Sequence, residues 1–93
     1  MIIGTARITL YLPENYSLKD KRQALRSLET RIRNRFNVSV AEVEHQDLWQ
    51  RARLAVVGVN TDHVHLETTL QKVAGEAGSA RGVEILDAQT EIL

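Results

Sequence analysis

From Ile2 onward the side chains alternate. Ile2, Gly4, Ala6, Ile8, Leu10 and Leu12 share one face, and Ile3, Thr5, Arg7, Thr9 and Tyr11 share the other, which is the two-residue period of a half-buried strand. Pro13 and Asn15 break the pattern. Ser17 then precedes Asp20 by three residues, the spacing of a capping box that opens a helix, although Asp is shorter than the usual Glu. Beyond it Leu18, Leu25, Leu28, Ile32 and Phe36 fall within an arc of about 80° at 3.6 residues per turn, one apolar face, with Asn37 as the expected stop. Val38 to His45 is rich in β-branched residues and predicts a second strand. Gln46 to Arg51 is a connection, and Arg53 to Asn60 is nearly all apolar, as in a central strand covered on both faces. Thr61 or Asp62 can cap a second helix reaching about Ala80, with Val64, Leu70, Val73 and Ala77 inward and Gly78 and Gly82 at its end. Val83 to Leu93 reads as a last strand whose acidic positions suit a sheet edge.

The order is βαββαβ. Two right-handed crossovers joined by a hairpin predict an α+β, ferredoxin-like sandwich: a four-stranded antiparallel sheet, strands one and three central, with both helices on one face. No linker, low-complexity stretch or internal repeat divides the chain, so residues 1–93 are expected to form one domain. A chain of 93 residues has room for one modest core, and 43% hydrophobic residues are enough to fill it. With no cysteine, a disulfide scaffold, a thiolate zinc site, an iron–sulfur cluster and a thiol nucleophile are excluded. The apolar start contains Arg7 and Thr9 and lacks a basic leader, so neither a signal peptide nor a membrane span is expected, and a cytoplasmic location is.

Twelve basic residues balance twelve acidic ones, but not locally. Residues 17–36 carry seven cations against Asp20 and Glu29, whereas residues 54–93 carry Lys72 and Arg81 against six acids. Lys19, Arg22, Arg26 and Arg33 cluster within about 60° of the first helix, a quarter turn from its apolar face. Such a separation speaks of association rather than fold.

Three stretches taken together are specific: Ser17-Leu18-Lys19-Asp20-Lys21-Arg22, then Arg35-Phe36-Asn37-Val38-Ser39-Val40-Ala41-Glu42-Val43, then Gln46-Asp47-Leu48-Trp49-Gln50-Arg51. On these the chain resembles, over essentially its whole length, the YlxP-like family of small bacterial proteins, a domain of unknown function. The resemblance implies a ferredoxin-like fold and a cytoplasmic bacterial protein. Genes of the family often stand beside those of transcription and translation factors, which implies work connected with RNA or the ribosome. The family carries no established activity and no agreed catalytic residues.

Lys19, Arg22, Arg26 and Arg33 are the first candidate site: cations on a rigid helix can meet phosphates along an RNA backbone, or simply form a solvated face. Trp49, beside Arg51 and Arg53, can stack on a base or anchor a protein, or can fold back over the sheet edge. Reading bases on the sheet in the manner of RNA-recognition domains is excluded, because Arg53-Leu54-Ala55-Val56-Val57-Gly58-Val59 holds no aromatic residue. Helices cover only one face of such a sheet, so Ile3, Ala55, Val57 and Val59 would lie open and invite a second copy of the chain; Trp49 with this face is the alternative, protein-docking reading.

Catalytic chemistry finds little support. Glu42 and Glu44 would share one strand face, as surface acids or a weak cation site. His63 and His65 lie about 200° apart on a helix and cannot share a metal. His45 and Asp47 are an isolated pair. Gly4, Gly58, Gly75, Gly78 and Gly82 match no phosphate or dinucleotide loop. Pro13-Glu14-Asn15-Tyr16 stands where acylphosphatases, which share this fold class, carry a glycine-rich loop with an arginine. The expectation is a non-enzymatic binding protein without cofactor, metal or membrane, and with no small-molecule ligand identifiable from the sequence.

Overall fold

A computed structural model describes residues 1–93. The elements are β1 (Ile2–Tyr11), α1 (Leu18–Arg35), β2 (Val38–Glu44), β3 (Arg51–Asn60), α2 (His63–Gly78) and β4 (Glu84–Ile92). The sheet order is β2-β3-β1-β4, all antiparallel, so the first and third strands are central and the fold is ferredoxin-like. Neither helix is long and apolar enough to cross a membrane.

The core lies between the helices and one sheet face. Ala6, Ile8, Leu10 and Leu12 from the first strand region meet Ala52, Leu54 and Val56 of β3, Leu25, Leu28 and Ile32 of α1, and Leu66, Leu70, Val73 and Ala77 of α2. The opposite face of β3 is open rather than covered, contrary to its all-apolar sequence: Val57 and Val59 are exposed, since a βαβ crossover lays its helix on one side only.

Local chemistry sets the element ends. Ser17 Oγ accepts from Asp20 N–H at 3.1 Å, and the Asp20 carboxylate accepts from Tyr16 N–H at 3.1 Å, a capping box displaced by one residue to suit the shorter acid. The helix stops at Arg35, with Phe36 already extended and its ring against the core. Asp62 caps α2 by accepting from His65 N–H. Val64 does not point inward; it is 68% exposed, because Leu66 instead starts the buried stripe that continues through Leu70, Val73 and Ala77, about 200° round the helix.

Two glycines govern how closely α2 approaches. Gly4 and Gly58 face each other across β1 and β3. A Cβ at Gly4 would stand 2.9 Å from Leu70 Cδ1 and 3.1 Å from Leu66 Cδ2, and one at Gly58 would stand 3.0 Å from Leu66 Cδ1. The pair forms a notch for these two leucines.

A lysine sits inside this structure. Lys21 is 1% exposed, and its ammonium donates to the carbonyls of His45 at 2.5 Å and Leu48 at 2.7 Å while facing Glu42 Oε2 at 2.7 Å. Two of the three ammonium protons are thereby directed at carbonyls. Glu42 Oε2 is buried and makes no aligned hydrogen bond, so its contact with Lys21 is an ion pair by proximity. His45 adopts φ 62°, the left-handed region, where the chain leaves β2; its carbonyl accepts from both Leu48 N–H and Lys21. One helix side chain therefore fixes the β2–β3 connection.

Lys21→Met is expected to lower stability by about 3 kcal/mol, because two carbonyls and a carboxylate lose their cation together. Glu42→Gln should cost much less, since both carbonyls still hold the ammonium. Denaturant melts measure the costs, and amide exchange across residues 45–50 should accelerate in Lys21→Met alone. Equal losses in the two variants would contradict the assignment.

Candidate functional site

The cations of α1 divide into two sets. Lys21 is buried as described. Arg31 Nε and Arg35 Nη1 both reach Glu76 of α2, at 3.3 and 3.1 Å, and so clasp the helices together. Arg33 donates to the Val40 carbonyl of edge strand β2 at 2.8 Å and lies 3.9 Å from Glu29. That leaves Lys19, Arg22 and Arg26, exposed and with no carboxylate within ion-pair distance. Their spacing of three and four residues sets them along one line of the helix. The Arg33 contact shows that this line overhangs the β2 edge. Of the four cations expected on this flank, three are free and Arg33 is tethered.

Glu29 belongs to the same flank. Burial raises its pKa above the usual 4.5; Arg33 opposes the rise, Glu42 adds to it and Arg26 opposes it.

The β2–β3 connection carries the second group. Trp49 does not fold over the core: it is 51% exposed, and with Tyr11, Leu48 and Arg51 it lines a concavity of about 390 Å³. Tyr11 and Arg51 are register partners at the end of β1 and β3. Tyr11 is the functional candidate that a strand-by-strand reading misses, since only the pairing register sets it beside the loop tryptophan. Arg53 is engaged, its Nε donating to Thr9 Oγ1 at 3.1 Å and its Nη1 to Glu44 at 3.0 Å, so Arg51 alone is the unpaired arginine beside Trp49.

Glu42 and Glu44 do not share a face. A register shift pairs Glu42 with Leu54 and Glu44 with Arg53, which turns Glu42 toward the helices and Glu44 toward the open side. The bulge removes the two-carboxylate cation site. His63 and His65 are both exposed on the first turn of α2, and no cluster of three or more His, Asp or Glu residues is arranged to hold a metal.

The open sheet face has an apolar end. Ile3 pairs with Val59 and Thr5 with Val57, and Arg7 pairs with Ala55. Met1, Ile3, Val38, Val57 and Val59 border a second concavity of about 410 Å³. Ile3, Ala55, Val57 and Val59 therefore do share one surface, and Trp49 stands toward the far end of the same sheet.

The raised Glu29 pKa fixes a sign. As pH rises from below 4.5, the unfolded chain releases this proton first, so the native state loses stability through the window that ends at the folded pKa. Glu29→Gln removes that loss, and its stability relative to the parent should climb as pH rises through 4.5 and above, read from urea midpoints. A variant that instead loses ground toward neutral pH would contradict the sign.

Comparison with known proteins bears on the whole chain. A family model described as "Protein of unknown function (DUF503)" matches residues 3–90. The uncharacterized protein YlxP of Bacillus subtilis (strain 168) is 36% identical over 90 residues, which cover 97% of this chain and 98% of that protein. Among solved structures, a C-terminal segment of the alpha subunit of aIF2 from Pyrococcus abyssi shares the fold at a TM-score of 0.50 and 18% identity, over 100% of this chain and 49% of that one. The chain thus spans about half the length of that structure, and the likeness is one of fold. With a family model across nearly its full length and a relative above one third identity end to end, the chain belongs to the DUF503 family and is similar to YlxP throughout.

Proposed function

We propose that this is a non-enzymatic cytoplasmic binding module that meets RNA through the flank of α1, with Lys19, Arg22 and Arg26 on phosphates and Trp49 with Arg51 as an adjoining contact. The observation that carries this reading is the division of cations. The helix commits Lys21, Arg31, Arg33 and Arg35 to carbonyls and carboxylates of its own protein, yet leaves three in a line with no carboxylate within ion-pair distance. Unpaired cations on a rigid element release counterions when an anionic chain docks, which is the main source of affinity for a phosphate backbone. Arg33, being tethered, serves the fold more than the partner.

The test is binding of labelled single-stranded RNA by anisotropy across a salt series. With three phosphates neutralised, log K should fall against log salt with a slope of about −2. Arg22→Glu with Arg26→Glu should abolish binding, whereas Arg33→Gln should weaken folding more than binding. Absence of binding at about 50 mM salt, or binding untouched by the double charge reversal, sinks the reading.

A second reading rests on the sheet. Val57 and Val59 are exposed beside Ile3 on a face that no helix covers, with Ala55 half-buried next to them, and a second copy seated there would remove this apolar surface from water. A homodimer joined in this way is expected to sediment as such and to become monomeric on Val57→Glu; a monomer at high concentration would refute it. Trp49→Ala separates the remaining outcome, a different protein docked at the loop end of the sheet.

A further inference from the structure

At the end of the molecule opposite the β2–β3 connection, the last turn of α1, the end of β3 and the first turns of α2 enclose a cleft of about 290 Å³. It is lined by Arg35 and Asn37 at the end of α1, by His65 and Lys72 on α2, and on its apolar side by Phe36 and Val59. This half of the chain is acidic, six carboxylates against two cations, yet no carboxylate lines the cleft.

The charges around it do not close. Arg31 and Arg35 share the single carboxylate of Glu76, and Lys72 has no acid within ion-pair distance. Glu76 therefore serves two arginines of α1, and Lys72 on α2 is left without an anion. The Glu76 contact uses Nη1 of Arg35 and so leaves further N–H groups of the guanidinium undirected. A guanidinium and an ammonium held on different helices, beside an imidazole and a carboxamide, form a donor set suited to the tetrahedral oxygens of a phosphate.

We infer that this cleft binds a phosphate group, free or as the monoester of a small molecule, through Arg35 and Lys72 with His65 and Asn37 as supporting donors. The volume lies at the small end of ligand sites, enough for a phosphate with a compact organic part against Phe36 and Val59 and too little for a dinucleotide. The site is separate from the α1 flank and does not depend on the RNA reading, because it uses none of Lys19, Arg22 or Arg26.

Titration of the intact protein with inorganic phosphate, and separately with glycerol 3-phosphate, followed by amide chemical shifts at ionic strength held with sodium chloride, tests it. Saturable shifts confined to residues around 35–37, 59–60 and 65–72 are expected, with half-saturation at about 1 mM or below. Lys72→Gln changes an exposed side chain and should fold normally, with binding about tenfold weaker. Arg35→Gln should weaken it as well, and Arg81→Gln, a surface cation outside the cleft, should leave it unchanged. Tighter binding of the monoester assigns a role to the apolar wall, and equal binding assigns the site to free phosphate. Linear, unsaturated shifts with both probes, shifts centred on Lys19, Arg22 and Arg26, or undiminished binding in Lys72→Gln would each overturn the inference.

Discussion

The Lys21 ammonium gives a proton to each of two carbonyls and faces one carboxylate, so α1, β2 and the β2–β3 connection meet at a single nitrogen. Removing an ammonium from water is costly, and only this full set of partners makes the position tenable. The same requirement fixes the rotation of α1. With Lys21 held inward beside Leu25, Leu28 and Ile32, helical geometry turns Lys19, Arg22 and Arg26 outward over the β2 edge. It also holds the backbone of the connection while leaving Trp49 in solvent. The bulge in β2 belongs to this arrangement, because it delivers Glu42 to the lysine and leaves Glu44 to Arg53.

Around that anchor the helix sorts its charges by neighbour. Positions facing α2 find Glu76, and the one lying over β2 finds a main-chain carbonyl. Lys19, Arg22 and Arg26, on the same line as Arg33, reach no carboxylate within ion-pair distance and remain free. A zero net charge therefore coexists with a row of unneutralised cations on one side and a cation-lined cleft at one end. Both are local excesses that an overall sum cancels.

The second helix is seated by a different device. Gly4 and Gly58, opposite each other in the two central strands, make room for Leu66 and Leu70, and this brings α2 onto the sheet near the end where the Arg35–Lys72 cleft opens. On the other side of the sheet no such partner exists, and β3 presents Val57 and Val59 to water.

The alternation from Ile2 to Leu12, the single apolar arc of α1 and the order of elements were enough to determine the ferredoxin-like topology and its central strands, because side-chain period and crossover handedness are local rules. The sequence also showed where cations concentrate. It did not show which of them are free. Lys21 reads like any other basic residue of its helix, and only packing against the connection reveals it as buried. Arg33 reads as part of the flank until β2 supplies the Val40 carbonyl, and Glu42 reads as the neighbour of Glu44 until the bulge parts them. Val64 and Leu66 differ by one choice of helix phase, which the Gly4–Gly58 notch decides. Tyr11 and Trp49 line one concavity, and Arg35 and Lys72 another, across long separations in the chain. Pairing of charges and formation of concave surfaces depend on distances between elements, and those distances exist only once the core has closed.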